Sequence, residues 1–156
     1  MTIKIHPIPA FSDNYIWILH NDHHAVVVDP GDDSVVEAYL AEHKLTLVSV
    51  LITHHHYDHV DGLAELQKKW RCPVYAPDDE RIPGQCEIVE AGDVVTIESL
   101  KLKFKVLFTP GHTLTHICYY DEDKLFCGDT LFSLGCGRMF EGTAEQFNHS
   151  LNQLKQ

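Results

Sequence analysis

The chain has 156 residues, 44% of them hydrophobic and 22% charged, with 12 Lys and Arg against 23 Asp and Glu for a formal net charge of −11. That composition suits one soluble domain spanning residues 1–156, and an acidic chain without a Lys/Arg run excludes a nucleic-acid binder, whose phosphate contacts need clustered cations. No segment approaches the roughly 18 apolar residues of a membrane span, and Met1 to His20 holds no signal-peptide core, so a cytoplasmic protein that does not engage membranes is expected.

Strands are expected at Ile3–Ile5, Tyr15–Leu19 and Ala25–Val28, the last two joined as a hairpin through Asn21-Asp22. Asp29-Pro30-Gly31 stops the third. Ser34 and Glu37 form a capping-box pattern ahead of Val36, Tyr39 and Leu40, which are spaced for a helix. Leu47–Ile52 is apolar but for Ser49, as in a strand buried on both faces, and it leads straight into a group of histidines. Val60, Leu63, Leu66 and Trp70 predict a helix that ends at Cys72-Pro73. Strand-like segments follow at Val74–Ala76, Val94–Ile97, Leu102–Phe108, Ile117–Tyr120 and Leu125–Cys127. A last helix opens on a Thr143/Gln146 capping box and carries Ala144, Phe147, Leu151 and Leu154 on one face. Strands and helices mixed in this order predict a layered α/β or α+β domain, with no closing strand after Leu154.

The five cysteines are an odd number without a Cys-x-x-Cys pair, so free thiols in a reducing compartment are expected rather than disulfides or a zinc ribbon. Cys136, between two glycines, falls on a loop.

Histidine is the unusual residue: there are 12, as many as Lys and Arg together. Residues 53–62 read Thr-His-His-His-Tyr-Asp-His-Val-Asp-Gly. In the extended backbone leaving a strand, His54 and His56 point the same way and can share one ion. Asp58 and His59 lie where the chain turns into the next helix and face a neighbouring point, so two adjacent ions are the natural outcome. Imidazole and carboxylate without thiolate suit zinc, iron or manganese rather than calcium or an iron–sulfur cluster. Two further strand-ending turns, around Gly111-His112 and Gly128-Asp129, can each present a ligand rigidly. His55 and Tyr57 are read as packing or orienting neighbours, and His6, His20, His23, His24, His43 and His149 as solvated or packing side chains.

With these motifs, and with Ile8 to Tyr15 and Gly135 to Gly142, the chain resembles the metallo-β-lactamase superfamily, and within it the glyoxalase II (hydroxyacylglutathione hydrolase) enzymes. The resemblance implies an αβ/βα sandwich lacking the last strand and the C-terminal helical segment. It implies that His54, His56 and His112 hold one metal, Asp58 and His59 the other, and that Asp129 bridges them. The cofactors would be two divalent ions, zinc first, iron or manganese otherwise. The absent strand carries a further histidine ligand in the family, so the second ion is expected to be the weaker one.

The implied activity is hydrolysis of a small-molecule glutathione thioester, S-lactoylglutathione, in methylglyoxal degradation by a monomer. Asp58 and Asp129 would be the catalytic carboxylates, and Arg138 and Phe140 the glutathione contacts. Persulfide dioxygenases with mononuclear iron share a Gly-Cys-Gly-Arg run, but the Phe-Glu-Gly-Thr continuation at residues 140–143 favours the thioesterase. A non-catalytic metal-binding remnant or interaction module is the alternative from a different class. Asp61 and Thr115 each stand where the family usually has glycine. Asp61 is expected to favour the helix dipole or to add negative charge near the second metal, and Thr115 to cost backbone freedom.

Overall fold

Two β-sheets face each other across an apolar seam in the computed structural model, which describes residues 2–155. The first sheet holds β1 (Lys4–Ala10), β2 (Asn14–His20), β3 (His24–Val28), β4 (Thr46–Leu51), β5 (Val74–Ala76) and β6 (Glu87–Ile88), side by side in that order. It is antiparallel as far as β3 and parallel from β3 to β6. The second sheet is an antiparallel set of β7 (Val94–Ile97), β8 (Leu102–Phe108), β9 (Ile117–Asp121) and β10 (Lys124–Phe126), ordered β10-β9-β8-β7. The helices are α1 (Asp33–His43), α2 (Tyr57–Val60), α3 (Leu63–Trp70) and α4 (Ala144–Gln153).

The side-chain alternation of β2, β3 and β4 builds two cores at once. Ile16, Ile18, Ala25, Val27 and Val50 turn toward Val36 and Leu40 of α1 and Leu63 and Leu66 of α3. Leu19, Val26, Val28 and Leu51 turn the other way and pack on Phe104, Val106, Ile117, Tyr119 and Phe126 of the second sheet. This double burial is why β4 is apolar from Leu47 to Leu51 but for Ser49, whose hydroxyl donates to the Pro73 carbonyl at 3.2 Å. Tyr119 is fully buried, and its hydroxyl is placed to donate to the Ile52 carbonyl at 3.0 Å or the Tyr75 carbonyl at 2.9 Å. The phenol thereby ties the second sheet to the backbone that follows β4 and to β5.

The hairpin through Asn21 forms as expected, with Asn21 Oδ1 accepting from the amides of His23 and His24, each at 2.8 Å. His20 packs as expected too: its Nε2 lies 3.1 Å from the Tyr39 hydroxyl, and His43 stacks on the same ring.

Several features differ from the sequence reading, among them the break at Asp61-Gly62 that divides the helix expected from Val60 to Trp70 into α2 and α3. β1 continues to Ala10 despite Pro7 and Pro9, because it is an edge strand and tolerates missing amide donors. β6 is two exposed residues, too short to leave a pattern. The cap of α1 is Asp32 rather than Ser34: its carboxylate accepts the Ser34 amide at 2.9 Å and the Ser34 hydroxyl at 2.6 Å. Glu37, freed from a capping role, accepts the Trp70 indole N–H at 2.6 Å and so links α1 to α3. In α4 the capping box is present, but Ala144 is exposed and Leu151 and Leu154 are half-buried. Phe147 and Ser150 do the docking: Phe147 lies against Gly111, and the Ser150 hydroxyl donates to the Pro110 carbonyl at 2.8 Å.

The turn after β3 abuts α2 so closely that a Cβ on Gly31 would overlap the Asp58 carbonyl, which fixes where α2 starts. The capping assignment has a direct test by urea unfolding. Asp32→Ala should cost about 1 kcal/mol, the usual loss for an N-cap side chain, and Ser34→Ala should cost less than half of that.

Candidate metal centre

The centre is assembled at the ends of β3, β4, β8 and β10. β3 is followed by Asp29, a buried carboxylate held in a left-handed turn (φ 53°). Its Oδ1 accepts the Thr53 amide at 2.7 Å, and its Oδ2 accepts the Thr53 hydroxyl at 2.7 Å and faces His59 Nδ1 at 3.1 Å. Because Thr53 gives its hydroxyl proton to Asp29, its oxygen can only accept from His54 Nδ1, 2.9 Å away. His54 therefore carries its proton on Nδ1 and turns the Nε2 lone pair inward. His59 is oriented the same way by Asp29 directly. His112 repeats the arrangement, with Nδ1 2.6 Å from the Arg138 carbonyl.

These rings converge on one small volume. Donor atoms of His54, His56, His112 and Asp129 all lie within 4.8 Å of one another. His56 offers Nδ1, which sits 2.9 Å from His112 Nε2. Asp129 spans the cluster, with Oδ1 3.1 Å from His59 Nε2 and Oδ2 3.3 Å from His112 Nε2. Asp58 Oδ2 stands 3.4 Å from His59 Nε2 and is braced by Asn14 Nδ2, which donates to that oxygen at 3.3 Å and to the Asp58 carbonyl at 3.0 Å. All six expected metal residues are thus brought together.

The Nε2 atoms of His54 and His59 are buried without a hydrogen-bond partner. Unpaired buried nitrogens are costly, and pointed at carboxylates in this way they fit a divalent cation. Asp29 also lies within 4.8 Å of His54 and His59 donor atoms, but three hydrogen bonds already occupy its oxygens, so it orients the rings.

The electrostatics set His59 apart from the other rings. Burial, then neighbouring histidines, hold His54 and His56 below the ordinary imidazole value, which keeps them neutral and able to ligate. Burial also opposes charge on His59, but the carboxylates of Asp129, Asp29 and Asp58 outweigh it and raise its pKa well above normal. His116 is fully buried and stacked on His54 with ring centroids 4.8 Å apart. Its Nδ1 faces the hydroxyls of Thr109 and Thr130 at 3.0 and 3.2 Å, and its Nε2 accepts the Asp129 amide at 3.3 Å. Burial first, then the nearby His112, pushes its pKa down to about 3.

Of the two expected substrate contacts, Arg138 is exposed and holds His112 through its carbonyl. Phe140 is also exposed, its ring edge-on to His56 and His112 with centroids 5.4 and 5.3 Å apart. Their loop presses on the cluster: a Cβ on Gly137 would overlap the Asp129 carbonyl. Asp61 is exposed at the right-handed end of α2, so nothing there calls for glycine. Thr115 lies outside the left-handed region and donates its hydroxyl to Asp79 at 2.6 Å, so it costs no backbone freedom. Sequence reasoning passed over Asp29, Asn14 and Asp79. Asp29 reads as an ordinary strand-ending Asp-Pro-Gly, and the other two sit in segments without a ligand pattern.

Two facing sheets, with a histidine and carboxylate cluster at their strand ends, describe the metallo-beta-lactamase superfamily. A sequence model of that family matches residues 10–85 and 87–156, and the chain belongs to it. More narrowly, the chain is similar to the hydroxyacylglutathione hydrolase of Aliivibrio salmonicida, 55% identical over 154 residues that cover 97% of this chain and 60% of that protein. It is also similar to the hydroxyacylglutathione hydrolase of Thiobacillus denitrificans, 50% identical over 148 residues, with 95% and 58% covered. The solved structure of ETHE1 from Myxococcus xanthus superposes with a TM-score of 0.82 at 31% identity, covering 99% of this chain and 69% of that one. The chain spans about 60% of the length of the curated relatives it matches.

Two outcomes follow from this geometry. Asp29→Asn puts an amide where three donors need acceptors, and zinc affinity measured by chelator competition should fall by about tenfold or more. The His116 ring takes up its proton near pH 6.5 when the chain is unfolded but only near 3 when folded. In metal-free protein, stability should therefore fall as pH drops through that window, by up to about 1.4 kcal/mol per pH unit. His116→Gln should flatten this part of the urea-midpoint profile, and parallel profiles for the two proteins would contradict the assignment.

Proposed function

We propose that this chain is the metal-binding part of a thioester hydrolase that converts S-(2-hydroxyacyl)glutathione, S-lactoylglutathione above all, to glutathione and a 2-hydroxy acid. The observation that carries this reading is the set of three imidazoles held at Nδ1 with Nε2 turned inward, around a carboxylate with one oxygen on each side. It stands in a chain about half identical to proteins named hydroxyacylglutathione hydrolase. His54, His56, His112 and Asp129 would hold one divalent ion, zinc first and iron or manganese otherwise. Asp58, His59 and Asp129 would hold the second more weakly, with one imidazole instead of three.

Bound divalent ions would polarise the thioester carbonyl and bring the pKa of a water down toward about 7. The chain's own groups do the rest. Asp58, braced by Asn14, would orient the attacking water and take its proton. Asp129 sets the spacing of the two sites. The leaving thiolate, with a parent thiol pKa of about 8.5, needs no strong general acid. Arg138 supplies a cation for a glutathione carboxylate, and Phe140 an apolar wall beside His56 and His112. Five free cysteines, four of them buried or half-buried, support a reducing cytoplasm as its location. Among the described residues, no helix is long and apolar enough to cross a membrane.

The test is thiol release from S-lactoylglutathione by zinc-loaded protein. His54→Ala should abolish it, and Asp58→Asn should lower kcat by about a hundredfold or more. Metal analysis should find one tight and one weak equivalent, and two tight equivalents would overturn the ranking of the sites. Oxygen uptake with glutathione persulfide in place of thiol release would make the protein a dioxygenase. Metal binding without either activity would leave a non-catalytic module.

A further inference from the structure

Beside the metal cluster lies a second set of charged groups that the proposed chemistry does not use. Asp79, in the loop after β5, has a side chain only 4% exposed, and both of its oxygens are engaged. Oδ1 accepts from the Arg81 amide at 3.1 Å and Arg81 Nε at 2.8 Å, and Oδ2 from Arg81 Nη2 at 2.7 Å and the Thr115 hydroxyl at 2.6 Å. The same guanidinium donates through Nη1 to Glu141. Glu141 in turn accepts the Leu114 amide at 2.8 Å. His55 fills the space between the two carboxylates, its Nδ1 3.3 Å from Asp79 and its Nε2 3.7 Å from Glu141.

We propose that Arg81, with Asp79 and Glu141, is a positioning group for the metal centre: it sets the separation between the loop that carries His54 and His56 and the loop that carries His112. The proposal rests on the metal-binding reading of the site. His55 lies between two of the ligands, and Leu114 and Thr115 follow the third by two and three residues. The two loops share a backbone hydrogen bond at their base, where the Ile117 amide donates to the Thr53 carbonyl at 3.0 Å, but toward His56 and His112 their spacing needs another constraint. Metal sites tolerate only a fraction of an ångström of ligand displacement.

A guanidinium suits this task because its planar fork can serve two carboxylates at once in fixed geometry, which a lysine cannot do. Its removal would leave Asp79 buried and facing Glu141 across His55 without the guanidinium that joins them, and the repulsion between the two carboxylates acts to separate the loops. An exposed ion pair alone would contribute little. The burial of Asp79 and its four donors set this one apart.

The test uses Arg81→Ala, Arg81→Lys and Glu141→Gln, with two readouts. The first is hydrogen exchange of the Leu114 amide in metal-free protein, and the second is zinc affinity by chelator competition. Arg81→Ala should raise the Leu114 exchange rate about tenfold and weaken zinc binding about ten- to a hundredfold, with Arg81→Lys recovering part of both. Global urea unfolding of the metal-free protein should shift too little to explain the loss. Exchange and affinity within twofold of wild type in Arg81→Ala and Glu141→Gln would overturn the proposal. Should Arg81→Ala fail to fold, Glu141→Gln keeps the Arg81–Asp79 pair and decides by the same readouts. If the wild-type chain binds no zinc, the proposed function falls. Leu114 exchange then decides the positioning role alone, an accelerated rate supporting it and an unchanged rate overturning it.

Discussion

A carboxylate taken out of water must be fully hydrogen-bonded, and Asp29 meets that demand with the Thr53 amide, the Thr53 hydroxyl and the His59 ring. Each of those bonds has a direction, and the directions propagate. A threonine that donates to Asp29 can only accept from His54, so one buried carboxylate fixes the tautomer of His54 and the orientation of His59 by different routes. The site's ability to bind a cation depends on this arrangement, because an imidazole presenting N–H would repel the ion.

The fold supplies the rigidity that such a chain of bonds requires. β3 and β4 are buried on both faces, against helices on one side and the second sheet on the other. Their ends deliver Asp29 and residues 53–56 from the first sheet, while β8 and β10 deliver His112 and Asp129 from the second. The cluster therefore depends on the packing between the sheets, where Tyr119 and Phe104 lie fully buried. His116 belongs to the same logic: with hydroxyls on one nitrogen and the Asp129 amide on the other, it is a neutral peg under Asp129.

Much of this was legible beforehand, and the parts that were not share a cause. Elements with their own periodicity, such as β4, α3 and the turn at Asn21, declare themselves locally. So do His54, His56, Asp58 and His59, because their spacing is set by one stretch of backbone. His112 and Asp129 could be proposed from family likeness, and the structure brings them to the same cluster. The misses depend on partners distant in sequence. Asp29 meets His59 across 30 residues and Arg81 meets Glu141 across 60, and neither end carries a local sign of the other. Ser34 failed for the opposite reason. Two residues only two positions apart could both cap, and a carboxylate at Asp32 takes the amide that a capping-box pattern assigns elsewhere.

The prolines of β1 reach beyond the strand in which they sit. An open strand at the margin of a sheet is a template on which another chain can grow by backbone pairing. Pro7 and Pro9 lie opposite Trp17 and Tyr15 and bring no amide hydrogen to β1. At the other margin, β6 is only two residues long. The six-stranded layer is thus poorly suited to strand-by-strand polymerisation from either side, which guards an acidic, histidine-rich chain against fibrillar assembly.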